Sequence, residues 1–352
     1  MKFEEKLKER KDWELWKEYC GFLDLTIDEF MAIQNRLMLE QIRKWRDSGI
    51  GKTILKGRNP ETIEEFRKMV PLTSYEDYAD SLSLKDKSIL PDDPVVWIQT
   101  TWEGGRHTIK LAPYTRSMLE TYQNNMLGCL MLSTSSGRGD FDVNPKDTIL
   151  YALAPLPYAT GIFPLLLNDA ISIEFLPPVK EAQKMSFSER NKKGFKMGLK
   201  KGIDFFFGVG SVTYYVSLSI ASLGSGHKSG SGSGGGDGKK KISISPAMVV
   251  RLLKAKHLCR KEGRDLLPKD LFRLKGFMCA GTDNRLYRDD LEKLWGVRPM
   301  EIFAGTEPTC IGTEIWSRDG MYFFPDACFY EFIPEKEMER SLADPSYEPR
   351  TC

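Results

Sequence analysis

The sequence predicts an α/β fold with a mostly parallel sheet flanked by helices, and three observations carry that expectation. Short apolar runs at residues 147–154, 171–176, 203–209, 274–279 and 300–303 alternate with stretches of helical periodicity, the pattern of strands joined by helical crossovers. Turns of small residues follow several of these runs directly, as in Ala280-Gly281-Thr282 and Phe303-Ala304-Gly305-Thr306-Glu307. The 352 residues are 41% hydrophobic and 28% charged, an ordinary globular balance for one large domain or two of usual size. A chain of this length buries roughly three quarters of its unfolded surface. No internal repeat stands out.

Taken in order, residues 1–47 read as helical. Phe3, Leu7, Trp13, Leu15 and Trp16 punctuate a charged background, and Ile27, Phe30, Met31, Ile33, Leu37 and Leu39 follow at helical spacing, with Asp24 or Thr26 as a cap. Gly49-Ile50-Gly51-Lys52-Thr53 looks like the end of a phosphate loop. It lacks the further glycine, at Arg46, and the preceding strand that the motif needs, so it is rejected as one. Residues 62–69 form a short helix ended by Pro71, which disfavours helical backbone at the residue before it. Ser74 caps a further helix.

Residues 95–100 are a strand, followed by Thr101-Trp102-Glu103-Gly104-Gly105-Arg106-His107, a second strand at 108–111, and a long helix over 116–131. Glycines let backbone N–H groups approach phosphate oxygens, hydroxyls donate, and Lys110 or Arg106 adds positive charge. Glu103 opposes that reading by charge, and a plain β-hairpin with a glycine turn also fits. After the strand at 147–154, Pro155-Leu156-Pro157-Tyr158-Ala159-Thr160-Gly161 precedes a helix, and Tyr158 either lines a pocket or joins the core. Ser186 or Ser188 caps a basic, solvated helix, and residues 212–223 form an apolar one. Residues 224–241, rich in glycine and serine, cannot bury a core and are expected to be a mobile surface insertion. Pro246 restarts order at a first helical position. A strand at 274–279 and a helix over 288–295, closed by Gly296, lead to residues 299–334, where two or three strands are expected: 300–303, 321–324 and 328–333. Glu307 in that stretch faces a ligand or is simply solvated.

Several function classes are disfavoured. A net charge of +2 gives no basis for nucleic-acid or anionic-membrane binding. Seven cysteines without a C-x-x-C pair indicate neither a zinc site nor a disulfide framework, and fit a reducing, cytoplasmic compartment. The charged N-terminus is not a signal peptide, and no apolar run is long enough to span a membrane. Only His107, His227 and His257 are present, which argues against a histidine-rich metal site.

Three segments then align in order: Val70-Pro71-Leu72-Thr73-Ser74-Tyr75-Glu76-Asp77-Tyr78, Lys110-Leu111-Ala112-Pro113-Tyr114-Thr115 and Tyr330-Glu331-Phe332-Ile333-Pro334. With the post-strand loops they make residues 60–334 resemble the large N-terminal domain of the adenylate-forming, luciferase-like acyl ligases. Within that superfamily the chain is most similar to the auxin-responsive acyl-acid-amido synthetase (Gretchen Hagen) family. The resemblance implies that Thr101, Gly104, Gly105 and Lys110 wrap ATP phosphates, and that Gly281 and Thr282 lie beside adenine. It also implies that Phe303, Ala304, Gly305 and Thr306 pack on adenine and the α-phosphate, and that Glu307 holds Mg²⁺. Tyr158, with Thr160 and Gly161, would line the acyl pocket.

The chemistry implied is ATP-dependent activation of a small carboxylic acid as an acyl-adenylate, with Lys110 and Glu307 as catalytic residues, then transfer to an amine or thiol. The alternative is a non-catalytic nucleotide- or acyl-binding domain or an inactive fragment. Thr-Trp-Glu-Gly-Gly stands where Ser-Ser-Gly-Thr-Thr is usual, and Ala304 where glycine is usual. The expected organisation is a helical segment, 1–60, packed on an adenylate-forming α/β domain, 61–340, followed by a tail, 341–352, that stops before a small C-terminal lid domain. Nothing after Pro334 matches the family's ribose-binding aspartate or lid lysine.

Overall fold

The computed structural model describes residues 1–100, 109–225 and 245–352. Strands β1 (Pro94–Gln99) and β2 (Leu111–Thr115) form an antiparallel pair. The main sheet holds β3 (Thr148–Ala152), β4 (Glu174–Leu176), β5 (Phe205–Val209), β6 (Gly276–Ala280), β7 (Met300–Gly305), β8 (Thr309–Thr313) and β9 (Tyr322–Phe323), in spatial order β4-β3-β5-β6-β7-β8-β9. Pairing is parallel from β4 through β7 and antiparallel at β8 and β9. The chain steps from β3 outward to β4, then returns to the other side of β3 for β5. That reversal makes a topological switch point, beside which open α/β sheets bind ligands at the carboxyl ends of the strands.

The strand residues alternate between two cores, as the two-residue period of a strand requires. Ile149, Tyr151, Phe205, Phe207, Met278 and Met300 face one core, with Tyr122, Leu127 and Leu130 of helix Arg116–Thr134 and Phe163 of helix Phe163–Ala170. Leu150, Ala152, Phe206, Phe277 and Cys279 face the other, with Phe195, Val216, Cys259 and Trp295 from helices Phe187–Lys201, Gly210–Ser225, Pro246–Glu262 and Asn284–Trp295. Burial on both sides explains why these strands are apolar without alternation in the sequence. Trp295, 1% exposed, also donates its indole N–H to the Ser217 hydroxyl at 2.8 Å.

Helix ends follow local chemistry. Thr26, Thr62, Thr115, Ser186 and Ser245 each accept a backbone N–H three residues on, and Glu189 returns the bond to Ser186. Gly296, at φ 74°, closes the helix that ends at Trp295. Gly49 to Thr53 lie inside helix Gly49–Leu55, capped by Ser48. They are not a phosphate loop, in keeping with the missing strand. The N-terminal helices pack on the main body: Phe3, Leu15, Trp16 and Tyr19 join the first core. Gln34 ties helix Ile27–Asp47 to the far end of the chain, donating to the Pro325 and Cys328 carbonyls and accepting from the Tyr330 N–H.

Several sequence expectations change. Residues 328–333 are not a strand; Gln34 accepts the Tyr330 N–H, the Cys352 N–H donates to the Phe332 carbonyl, and the Tyr330 and Phe332 rings meet Phe323 tilted and edge-on, at 5.1 and 5.5 Å between ring centres. Tyr330 donates its hydroxyl toward the Ile311 and Phe324 carbonyls. Strand β2 begins at Leu111, where ladder pairing with Gln99 starts; of the strand expected at 108–111, Ile109 and Lys110 precede it and Thr108 lies outside the described residues. The helix expected from 288 starts at Asn284. Of the expected insertion 224–241, Gly224 and Ser225 finish a helix, and the rest lies outside the described residues. Helix Glu335–Ala343 follows Pro334. Among the described residues no helix is long and apolar enough to cross a membrane.

Helix Phe187–Lys201 approaches β4 at Gly194, where an added Cβ would lie 2.5 Å from the Leu176 carbonyl oxygen. Gly194→Ala is therefore expected to lower stability by about 1–3 kcal/mol, as forced overpacking does. A denaturation midpoint equal to that of the unchanged protein would contradict this contact.

Candidate functional site

The carboxyl ends of β3, β5, β6 and β7 share one edge of the sheet because the four strands are parallel. Ala280 pairs with Ile302, so Gly281 and Thr282 stand level with Phe303 and Ala304. Gly281, at φ 124°, makes a turn that a side chain would strain. Asp283 accepts the Ser211 N–H at 3.1 Å, joining this turn to the one after β5. Phe303 is 47% exposed, a large apolar surface left open at the same edge.

Beyond β7 the chain turns through Thr306, Glu307 and Pro308 and returns as β8, with Gly305 opposite Thr309. The turn is pinned from the other sheet: Tyr114, on β2 and fully buried, donates its hydroxyl to the Thr306 carbonyl. Burial, and next the Glu307 carboxylate, push the Tyr114 phenol well above its ordinary range. Burial and Glu307 also raise Tyr78, while Lys110 acts on it in the opposite direction. Lys110 and Glu307, 197 positions apart by their numbers, are thus both within electrostatic reach of one phenol. The Lys110 ammonium lies 5.6 Å from the centre of the Tyr75 ring, and the Tyr75 hydroxyl accepts the Leu111 N–H at 2.6 Å. A cavity of about 240 Å³ opens here, walled by Trp45, Tyr75, Tyr78, Leu82 and Met118, with Glu307 at its edge.

Thr100 and Lys110 bracket the glycine-containing stretch of sequence. The Thr100 N–H donates to the Lys110 carbonyl at 3.0 Å, and the Lys110 N–H to the Thr100 hydroxyl at 3.2 Å. Thr101, Gly104 and Gly105, with Trp102 and Glu103, lie outside the described residues. The Gln99 N–H donates to the Pro157 carbonyl at 3.0 Å, which fastens the loop carrying Tyr158 beside this bracket. Tyr158 is half-buried. Thr160 donates its hydroxyl to the Ala154 carbonyl at 3.1 Å, and a Cβ at Gly161 would sit 2.2 Å from the Leu156 nitrogen. Both residues serve the loop's own packing.

The structure therefore brings Lys110, Gly281, Thr282, Phe303, Ala304, Gly305, Thr306 and Glu307 to one edge, with Tyr158 close to the strand end at Gln99. The sequence motifs contain Tyr75, Tyr78 and Tyr114 without marking a role for them; the Tyr114 phenol bonds the Glu307 turn, and Tyr78 lies within electrostatic reach of both Lys110 and Glu307. Among the described residues no group of three or more His, Cys, Asp or Glu is placed to hold a metal. Glu307 brings a carboxylate to this edge. That donor set suits Mg²⁺, which is commonly held by one or two carboxylates with substrate phosphates and water completing its shell.

The fold is similar to those of a solved acyl acid amido synthetase and a solved acyl-CoA ligase. An acyl acid amido synthetase in complex with 2,4-DB superposes with a TM-score of 0.56 at 13% identity, over 89% of this chain and 60% of that one. An open conformation of 2-hydroxyisobutyryl-CoA ligase with 2-HIB-AMP and CoA gives 0.51 at 12% identity, over 88% and 57%. At such identities the likeness is one of fold. The chain spans about 60% of the length of the first of these proteins. Residues 21–151 match the GH3 family N-terminal domain. A search of curated protein sequences gave no match.

Tyr114→Phe should remove the hydrogen bond to Thr306 and cost about 0.5–1.5 kcal/mol. Faster amide exchange confined to residues 305–309 is the expected readout. Unchanged exchange there would mean that the turn does not depend on Tyr114.

Proposed function

We propose that the chain activates a small carboxylic acid with MgATP, giving an acyl-adenylate and pyrophosphate, and that the acyl group passes to an amine or thiol. The observation that carries this reading is the meeting of Lys110 and Glu307 around Tyr78 at the carboxyl edge of an adenylate-forming fold. In the reaction a carboxylate oxygen attacks the α-phosphorus, and the bond to the β-phosphate oxygen breaks. Both reactants are anionic, so the protein's task is positioning and charge neutralisation.

Lys110 supplies one positive charge to the phosphates. Glu307 would hold Mg²⁺, which when bound offsets the negative charge that builds on the departing pyrophosphate. Thr101, Gly104 and Gly105 would cradle phosphates through backbone N–H groups. Gly281, Thr282 and the residues Phe303 to Thr306 would flank the adenine and α-phosphate. Tyr158 would border the acyl group. In this reading the helical segment 1–60 supports a catalytic unit of 61–340, and seven reduced cysteines fit a cytoplasmic setting.

A second reading, binding of nucleotide or acyl compound without turnover, is favoured by Trp102 and Glu103 in the phosphate-loop motif. ATP–pyrophosphate exchange across a panel of carboxylic acids separates the two. Exchange excludes the second reading; absence of both exchange and Mg²⁺-dependent ATP binding excludes the first.

Glu307→Ala is expected to abolish the Mg²⁺ dependence of ATP binding in calorimetry, and an unaltered dependence would remove Glu307 from the metal role. Lys110→Ala is expected to weaken ATP binding by roughly 1–3 kcal/mol, the size of a charge-assisted contact. Equal affinities for the two proteins would take Lys110 out of the site.

A further inference from the structure

The surface outside the second core is basic out of proportion to the chain. Helices Phe187–Lys201 and Pro246–Glu262 carry eleven Lys or Arg against two Glu, whereas the 352 residues together reach only +2. The rest of the chain is therefore acidic on balance, and the whole-chain charge conceals the asymmetry. Both helices bury one side in the same core, Phe195 and Leu199 from the first and Met248, Ala255 and Cys259 from the second. Two consecutive residues join them laterally. The Leu271 carbonyl accepts from Arg251 at 2.8 Å, and the Phe272 ring meets Phe195 at 6.0 Å between centres. The outer sides of the two helices thus look away from the same face of the sheet.

The outer side of helix Pro246–Glu262 mixes that charge with apolar surface. Val249, Val250, Leu253 and Leu258 are all exposed, Leu253 by 63%, and they stand among Arg251, Lys254, Lys256 and Lys261. Four aliphatic side chains gathered on one helix differ from the singly scattered apolar residues of an ordinary surface. A groove runs beside the helix, with buried Ala255 and Leu271 at its floor and exposed Lys254, Lys269 and Arg273 along it. The helix's own carboxylate, Glu262, and the groove's, Asp270, both pair with Arg264, at 2.6 and 2.8 Å. Among the described residues Lys196, Lys200, Lys254, Lys256, Lys261 and Lys269 are exposed and make no ion pair.

We propose that this face is a peripheral docking surface for an anionic phospholipid bilayer, with helix Pro246–Glu262 lying in the headgroup layer. Charge complementarity selects an anionic partner, and the aliphatic residues between the charges suit the boundary with the acyl chains. Composition selects lipid over an acidic protein. Protein interfaces deplete Lys and anchor on Trp, Tyr and Arg, whereas exposed Lys, Val and Leu predominate here. Lysine stems lie along apolar surface while their ammonium groups stay among polar groups, an arrangement that a headgroup layer accommodates. The surface is separate from the chemistry proposed above, and its test needs neither nucleotide nor acid.

The full chain is sedimented with vesicles of phosphatidylcholine alone and of phosphatidylcholine mixed with phosphatidylserine. Saturable binding to the mixed vesicles only is the expected result. Lys254→Gln with Lys261→Gln is expected to weaken that binding roughly tenfold or more, since each basic residue near an anionic surface contributes several-fold. Val250→Ser with Leu253→Ser is expected to weaken it several-fold through lost apolar contact. Lys11→Gln with Lys336→Gln, on other elements, is expected to bind as the unchanged protein does. All six positions are exposed, so the variants are expected to keep the melting temperature of the unchanged protein. No binding to the mixed vesicles, or an equal loss in the Lys11 and Lys336 variant, overturns the proposal. Undiminished binding of the Val250 and Leu253 variant would reduce the contact to adsorption by charge and overturn the seating of the helix among headgroups. Retention on immobilised poly-glutamate without vesicle binding would assign the face to an acidic protein and overturn the lipid assignment.

Discussion

The constraint on which the structure depends is that β3, β5, β6 and β7 must be buried on both faces. Each strand sends alternate side chains to opposite cores, Phe205 and Phe207 one way and Phe206 the other. Covering both faces requires helices on both, and returning through a helix makes the next strand parallel. Parallel strands end on the same edge, so turns distant in the sequence are collected there without any direct attraction between them. The candidate site is a by-product of how the hydrophobic core is divided.

Much of this was legible in the sequence because apolar runs and caps are local signals. The strands expected at 203–209 and 274–279 are found at Phe205–Val209 and Gly276–Ala280, and Ser186 caps its helix, because these are short-range matters of composition and hydrogen bonding. Residues 328–333 misled for the same reason. Aromatic content suggests a strand, but Tyr330 finds its partners in Gln34, some 296 positions earlier, and in the Phe323 ring. No local rule contains such a partner. The site was legible to the extent that it lies in loops directly after strands; the role of Tyr114 was not, because a buried phenol reaching a carbonyl in another sheet leaves no periodic trace.

The two halves of the site differ in how they are held. The turn carrying Glu307 is clamped by a buried donor from the β1–β2 pair, whereas Lys110 sits at the root of a loop closed by two hydrogen bonds to Thr100. One side is fixed by packing of the core, and the other by the hydrogen bonds between Thr100 and Lys110. Groups anchored in different layers keep their spacing only while those layers remain docked. Stability of the β1–β2 pair against the main sheet is therefore a condition for any joint action of the two residues.

Gly210 follows β5 with its backbone pressed against the next crossover: a side chain there would begin 2.3 Å from the Asp283 carboxylate and 2.7 Å from the Asn284 amide oxygen. The two bends are thus a single interlocked part. In descent this chain cannot reshape the bend after β6 independently of the one after β5, and a longer residue at 210 demands a compensating retreat at 283 or 284. Diversification at these two bends is channelled into paired changes.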